Sequence, residues 1–228
     1  MRLIPTSAVR WLPCYRIIPS RFPPINLFER VTDPADLETV LDIESMTNDR
    51  LRNEVGSLNL VPPEDRISGP GTSPIMAAFT HLPPYGSRFT DGSFGVFYAG
   101  RTLETAIAET KYHREAFLRA TSEPRIELDM RVYAVDLDAV LHDIRGMRDT
   151  MLGIYDPSSY TASQALAIEI RNSGSSGFAY DSVRKPGGEC VAIFKPRVLS
   201  NCRQERHLTY VWDGSSISTV YEKRDLSL

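Results

Sequence analysis

Excess positive charge is missing from this sequence: 26 lysines and arginines face 29 aspartates and glutamates, a formal net charge of −3. That balance argues against a nucleic-acid binder, whose docking face is basic. Cysteine is scarce as well. Cys14, Cys190 and Cys202 show no C-x-x-C spacing, so a disulfide framework is excluded and reduced thiols in a cytoplasm are expected. No run approaches the roughly 20 apolar residues of a membrane helix, and Pro5 and Pro13 interrupt the N-terminus, so neither a membrane association nor a signal peptide is expected. His81, His113, His142 and His207 lack metal-ligand spacing, and neither H-E-x-x-H nor a Cys/His cluster occurs, so no metal site is expected. A Walker loop, a G-x-G-x-x-G after a strand and a G-x-S-x-G nucleophile elbow are also absent.

What remains is enough for a domain without staples. At 42% hydrophobic residues over 228 positions, folding would bury roughly 70–75% of the unfolded surface. Cys14 to Ile18 reads as a short β run stopped by Pro19. Asp33-Pro34 is a helix start, and apolar spacing predicts one or two amphipathic helices over 34 to about 55. The proline-rich stretch 61–74 reads as loop, and Ser73-Pro74 opens a short apolar helix to about Phe79. Between Arg125 and Leu137, apolar Ile126, Leu128, Met130, Val132 and Ala134 alternate with Arg125, Glu127, Asp129 and Arg131, which predicts a strand buried on one face. Thr161-Ala162-Ser163-Gln164 reads as a capping box for a helix to about Asn172, closed by Gly174. Strands are expected at 177–182, 189–195 and 208–213, and Asp213-Gly214 turns into a last one, Ile217 to Glu222. Strands and helices mixed in this irregular way predict an α+β domain with a mainly antiparallel sheet.

The richest chemistry lies between Gly86 and Glu109. A glycine-punctuated loop leads into a β run from Val96 to Ala99, then into a helix from Leu103 to about Arg119 with Thr102 as its N-cap. Along it stand a guanidinium (Arg88), a phenol (Tyr98) and a carboxylate (Glu109). Together they can hold a phosphate, a planar ring and a developing positive charge.

Arg88-Phe89, Gly92, Tyr98-Ala99 and Ala106-Ile107-Ala108-Glu109 resemble the first motif of the RES-domain family, NAD-consuming toxins of bacterial toxin–antitoxin pairs. Ser182, in the run GFAYDSVRKPGGECVAIFKP, is similar to the family's second motif. The likeness runs from about Tyr85 to Leu199. It implies one RES-like domain over 1–228 with a helical elaboration at about 29–82. It also implies a split, mainly antiparallel sheet flanked by helices, similar to diphtheria-toxin-like ADP-ribosyltransferases. The family's aromatic-arginine pair on a first strand is matched by Tyr15-Arg16, with Arg21 a rival for that arginine.

The resemblance further implies NAD as a substrate and no resident cofactor. Glu109 would face the ribosyl cation formed as the nicotinamide bond breaks, as carboxylates do in glycoside hydrolysis. Arg88 would clamp phosphate oxygens with its planar fork, and Tyr98 would offer a ring face to nicotinamide or a hydroxyl to ribose. Arg16 and Ser182 would contact phosphate or ribose. His113, one turn after Glu109, would orient that carboxylate or touch substrate. Water, inorganic phosphate and a protein side chain all stand as acceptors, the last making an ADP-ribosyltransferase. A non-catalytic nucleotide-binding module is the third reading. The implied protein partner is a cognate Xre-type antitoxin, and a homo-oligomer is neither required nor excluded.

Overall fold

The computed structural model describes residues 4–20, 29 and 57–224. Its strands are β1 (Thr6–Pro19), β2 (Phe97–Gly100), β3 (Ile126–Asp143), β4 (Gly177–Asp181), β5 (Glu189–Ile193), β6 (Leu199–Trp212) and β7 (Ile217–Lys223). Its α-helices are α1 (Ser73–Thr80), α2 (Leu103–Ala120) and α3 (Thr161–Asn172). The helices expected over 34 to about 55, and Arg21, lie outside the described residues.

The long alternating strand β3 organises the rest. One of its edges pairs antiparallel with β1. The other edge pairs antiparallel with β6 and then, at His142 and Asp143, parallel with β4. From β4 the sheet runs antiparallel through β5 to β2, and the pair Tyr15↔Gly100 joins β2 back to β1. The α+β sheet is therefore mainly antiparallel and divides where β3 passes from β6 to β4. Five strands, β1, β3, β4, β5 and β2, close into a ring, and β6 and β7 extend outside it. No helix among the described residues is long and apolar enough to cross a membrane.

Several elements differ from their sequence expectation: β6 begins at Leu199 and not at 208, and β3 runs on to Asp143. Strand β1 begins at Thr6, well before Cys14, and runs through Pro13. The register shifts between Trp11 and Cys14, so the proline sits where the ladder asks for no N–H. Strand β3 is buried on both faces from Met130 to Val135, not on one. Met130 and Val132 join the core beneath α2, while Tyr133, Val135 and Leu137 join the core beneath α1. Alternation here separates two cores instead of core from solvent.

The helices follow local chemistry. Thr102 caps α2 by accepting a hydrogen bond from Thr105 N at 3.3 Å. The start of α1 is held by Glu29, whose Oε1 accepts from Ser73 N at 3.1 Å and whose Oε2 accepts from Ser73 Oγ. A carboxylate there meets free N–H groups and the positive end of the helix dipole. Helix α3 ends as expected at Gly174, with φ of 85°, but the capping box at its start does not form: its N-cap is Tyr160, with no side-chain cap.

Candidate functional site

Arg88 sits in a tight turn that nearby side chains hold shut. Ser87 N donates to Thr90 O at 2.7 Å, closing the turn, and Phe89 between them is fully buried against Phe178 and Tyr180, ring centroids 4.9 Å away in both cases. The turn must bend sharply on both sides. Gly86 has φ of 68°, and a Cβ there would lie 2.4 Å from Thr90 O. The Tyr98 hydroxyl accepts from Phe89 N at 2.9 Å and bonds Ser87 Oγ at 2.7 Å. Gln164, expected in a capping box, instead spends its amide here: Nε2 donates to Ser87 O at 3.0 Å and to Thr90 O at 3.1 Å.

The guanidinium thus presented is buried, 8% exposed. Its Nη1 donates to Ile154 O and Asp156 O, each at 2.9 Å, and its Cζ lies 4.7 Å from the Tyr160 ring centroid. Among the described residues no carboxylate pairs with it, so its charge stays uncompensated and attracts an anion.

Glu109 faces it from α2. Its Oε1 accepts two hydrogen bonds, from Ser182 Oγ at 2.6 Å and Val183 N at 3.1 Å. No described residue bonds its Oε2. Ser182 is 2% exposed and does not line the cavity; its Oγ also accepts from Arg184 N at 3.2 Å and Lys185 N at 2.9 Å. The loop between β4 and β5 therefore folds around this hydroxyl, which also fixes one oxygen of the carboxylate.

Arg88, Tyr98, Glu109, Arg16 and His113 all line one cavity of about 430 Å³, whose remaining wall includes Tyr180 and Arg114. That is within the size range of small-molecule sites, roughly 300–1,000 Å³. Arg16 reaches it from β1, its Nη1 donating to Tyr98 O at 3.2 Å and its Cζ 4.7 Å from the Phe97 ring centroid. Burial pulls the Arg16 pKa down to about 10, and its Nε is buried without a partner. Burial pushes the Tyr98 phenol up to about 12, so it stays protonated at neutral pH; with the hydroxyl engaged by the Arg88 turn, its ring is the part left to a ligand. His113 lines the cavity and is exposed to solvent. Desolvation lowers its pKa, the Glu109 charge raises it, and Arg184 lowers it again. Among the described residues no group of three or more His, Cys, Asp or Glu could hold a metal ion.

The spread of these positions explains what sequence reasoning missed. Gln164 and Tyr160 act on Arg88 from some 70 positions away, and no local pattern marks them. Glu29 likewise works on Ser73 across 44 positions.

A family model described as "RES domain" matches residues 63–213. The uncharacterized protein y4oC of Sinorhizobium fredii is 31% identical over 214 residues, covering 91% of this chain and 86% of that protein. A chain from the crystal structure of the M. tuberculosis MbcT–MbcA toxin–antitoxin complex aligns over 91% of this chain and 87% of its own length, with a TM-score of 0.48 and 10% identity.

Proposed function

The chain belongs to the RES-domain family, and from that membership together with the chemistry of the cleft we propose that it is an enzyme cleaving the nicotinamide–ribose bond of NAD. One observation carries the reading: a carboxylate with one oxygen tied down and the other unengaged shares a cavity with an uncompensated guanidinium. NAD needs both. Its cationic nicotinamide leaves with the bonding electron pair, and positive charge grows on the ribose carbon as it goes.

Glu109 Oε2 places negative charge beside that carbon, where a low-dielectric cleft strengthens the interaction. Ser182 and Val183 fix the carboxylate beforehand, so little reorganisation is left for the reaction itself. Arg88 and Arg16 take pyrophosphate oxygens, and the Tyr98 ring packs on a planar group. A water or phosphate oxygen then bonds to the ribose carbon and gives its proton to the carboxylate or to solvent. The resemblance to the family supports a toxin whose site a cognate Xre-type antitoxin covers, with the cytoplasmic NAD pool as its target.

Pure protein mixed with NAD, with and without inorganic phosphate, tests this by chromatography of free nicotinamide and of the ribosyl product. ADP-ribose marks water as acceptor and its 1-phosphate marks phosphate. Label retained on a macromolecule marks a protein acceptor. Intact NAD under all conditions rejects the proposal.

A further inference from the structure

Arg114 lines the same cavity, half-buried, and no described residue pairs with it or accepts a hydrogen bond from it. A guanidinium carries five N–H donors and keeps its proton at any ordinary pH, so a partly buried one without partners is an unmet demand. Helical geometry says where that demand lies. Residues 109 and 114 stand about 140° apart around α2 and about 7.5 Å apart along it. Ala106, Thr110 and His113 fall between them on the face that lines the cleft. Glu109 and Arg114 thus border opposite sides of that face.

Among the described residues no carboxylate is paired with Arg114. Thr110 Oγ1 and Tyr210 OH are bonded to each other at 2.7 Å, and Ile17 and Met130 supply apolar wall. On the adjoining strand Arg16 lines the same cavity, and its Nε is buried with no hydrogen-bond partner among the described residues.

We infer that Arg114 is a further phosphate-binding residue of the cleft, at the side away from Glu109 and additional to Arg88 and Arg16. For the identity of the ligand this rests on the dinucleotide reading; for the anion chemistry it does not. The phosphate has two sources in a nicotinamide dinucleotide: the pyrophosphate bridge, or a 2′-phosphate on the adenosine ribose as in NADP.

Calorimetric titration of the full chain with inorganic pyrophosphate, NAD and NADP tests the inference in wild type, Arg114→Ala and Arg114→Lys. Because no described residue hydrogen-bonds or ion-pairs with Arg114, Arg114→Ala melts close to the wild-type temperature, and Arg114→Lys serves as a second variant that keeps the charge and most of the stem. Arg114→Ala weakens binding at least about tenfold, the size expected for losing a charge-assisted hydrogen bond, and Arg114→Lys recovers part of it. Equal losses for NAD and NADP identify the bridge as the source; a loss confined to NADP identifies the 2′-phosphate. Wild-type affinity of Arg114→Ala for all three probes, or no binding of any of them by wild type, overturns the inference. Failure of the dinucleotide reading alone looks different: pyrophosphate binding still depends on Arg114 while NAD and NADP neither bind nor are consumed.

Discussion

Ser182 Oγ donates a 2.6 Å hydrogen bond to Glu109 Oε1 across 73 positions of sequence. Ser182 Oγ itself accepts the N–H groups of Arg184 and Lys185. Ser182→Ala therefore removes the carboxylate's main tether and leaves two loop N–H groups unmet. Stability falls by about 1–3 kcal/mol, the cost of unmade buried hydrogen bonds, and nicotinamide release slows by about tenfold or more. Denaturant unfolding reads the first effect and single-turnover kinetics the second. Full activity in a weakened protein would leave Ser182 as a loop support only.

Glu109→Gln keeps the shape and a carbonyl that can accept from Ser182 and Val183, and loses only the charge. The expected loss in kcat is about 10²–10³, the range seen for removing one transition-state electrostatic contact. KM and the unfolding midpoint stay near wild type. A variant that turns over at the normal rate would exclude the negative charge from the mechanism.

Gln164→Leu keeps the bulk of the side chain and removes the two hydrogen bonds its amide gives to the carbonyls of Ser87 and Thr90. The turn carrying Arg88 then loosens while Glu109 is untouched. KM for NAD rises severalfold with kcat changed less, since phosphate binding in the ground state is what suffers, and stability drops by about 1–2 kcal/mol. An equal fall in kcat and kcat/KM would contradict this division of labour.

At high pH buried tyrosines, together with the buried thiols of Cys14 and Cys202, weaken the fold. Burial raises the phenols of Tyr98, Tyr155 and Tyr210 from 10.0 to about 12. The folded state holds these protons more tightly than the unfolded one. Their contribution is complete below about pH 10 and is lost as pH climbs towards 12. Thermal melts across this window show a steep fall. Tyr210→Phe, which deletes one of the three groups, shows a shallower one; an unchanged slope would remove Tyr210 from the set.

Local chemistry was legible in the sequence and long-range pairing was not. Thr102, Ser73-Pro74 and Gly174 marked helix ends because capping involves neighbours within a turn. The motif residues Arg88, Tyr98, Glu109 and His113 lie on one loop–strand–helix run, so their grouping showed in the sequence, although Gln164 and Ser182 from later in the chain hold the turn and the carboxylate. Gln164 was misread because S/T-x-x-Q spacing is a local pattern, whereas the carbonyls it binds belong to a turn 74 and 77 positions earlier. Alternation in β3 suggested one buried face, since a single strand cannot announce a second core on its other side.

The closed ring of five strands has a consequence for the chain while it is being made. Cys14, in the strand that carries Arg16, hydrogen-bonds Val135, which emerges from the ribosome 121 positions later, and Glu109 waits for Ser182. A nascent chain halted before that serine has its guanidinium groups and its carboxylate but no frame to face them toward one another. A chain stopped short of the β4–β5 loop thus lacks the hydroxyl that fixes the carboxylate, and the cleft is assembled only once that loop has been made.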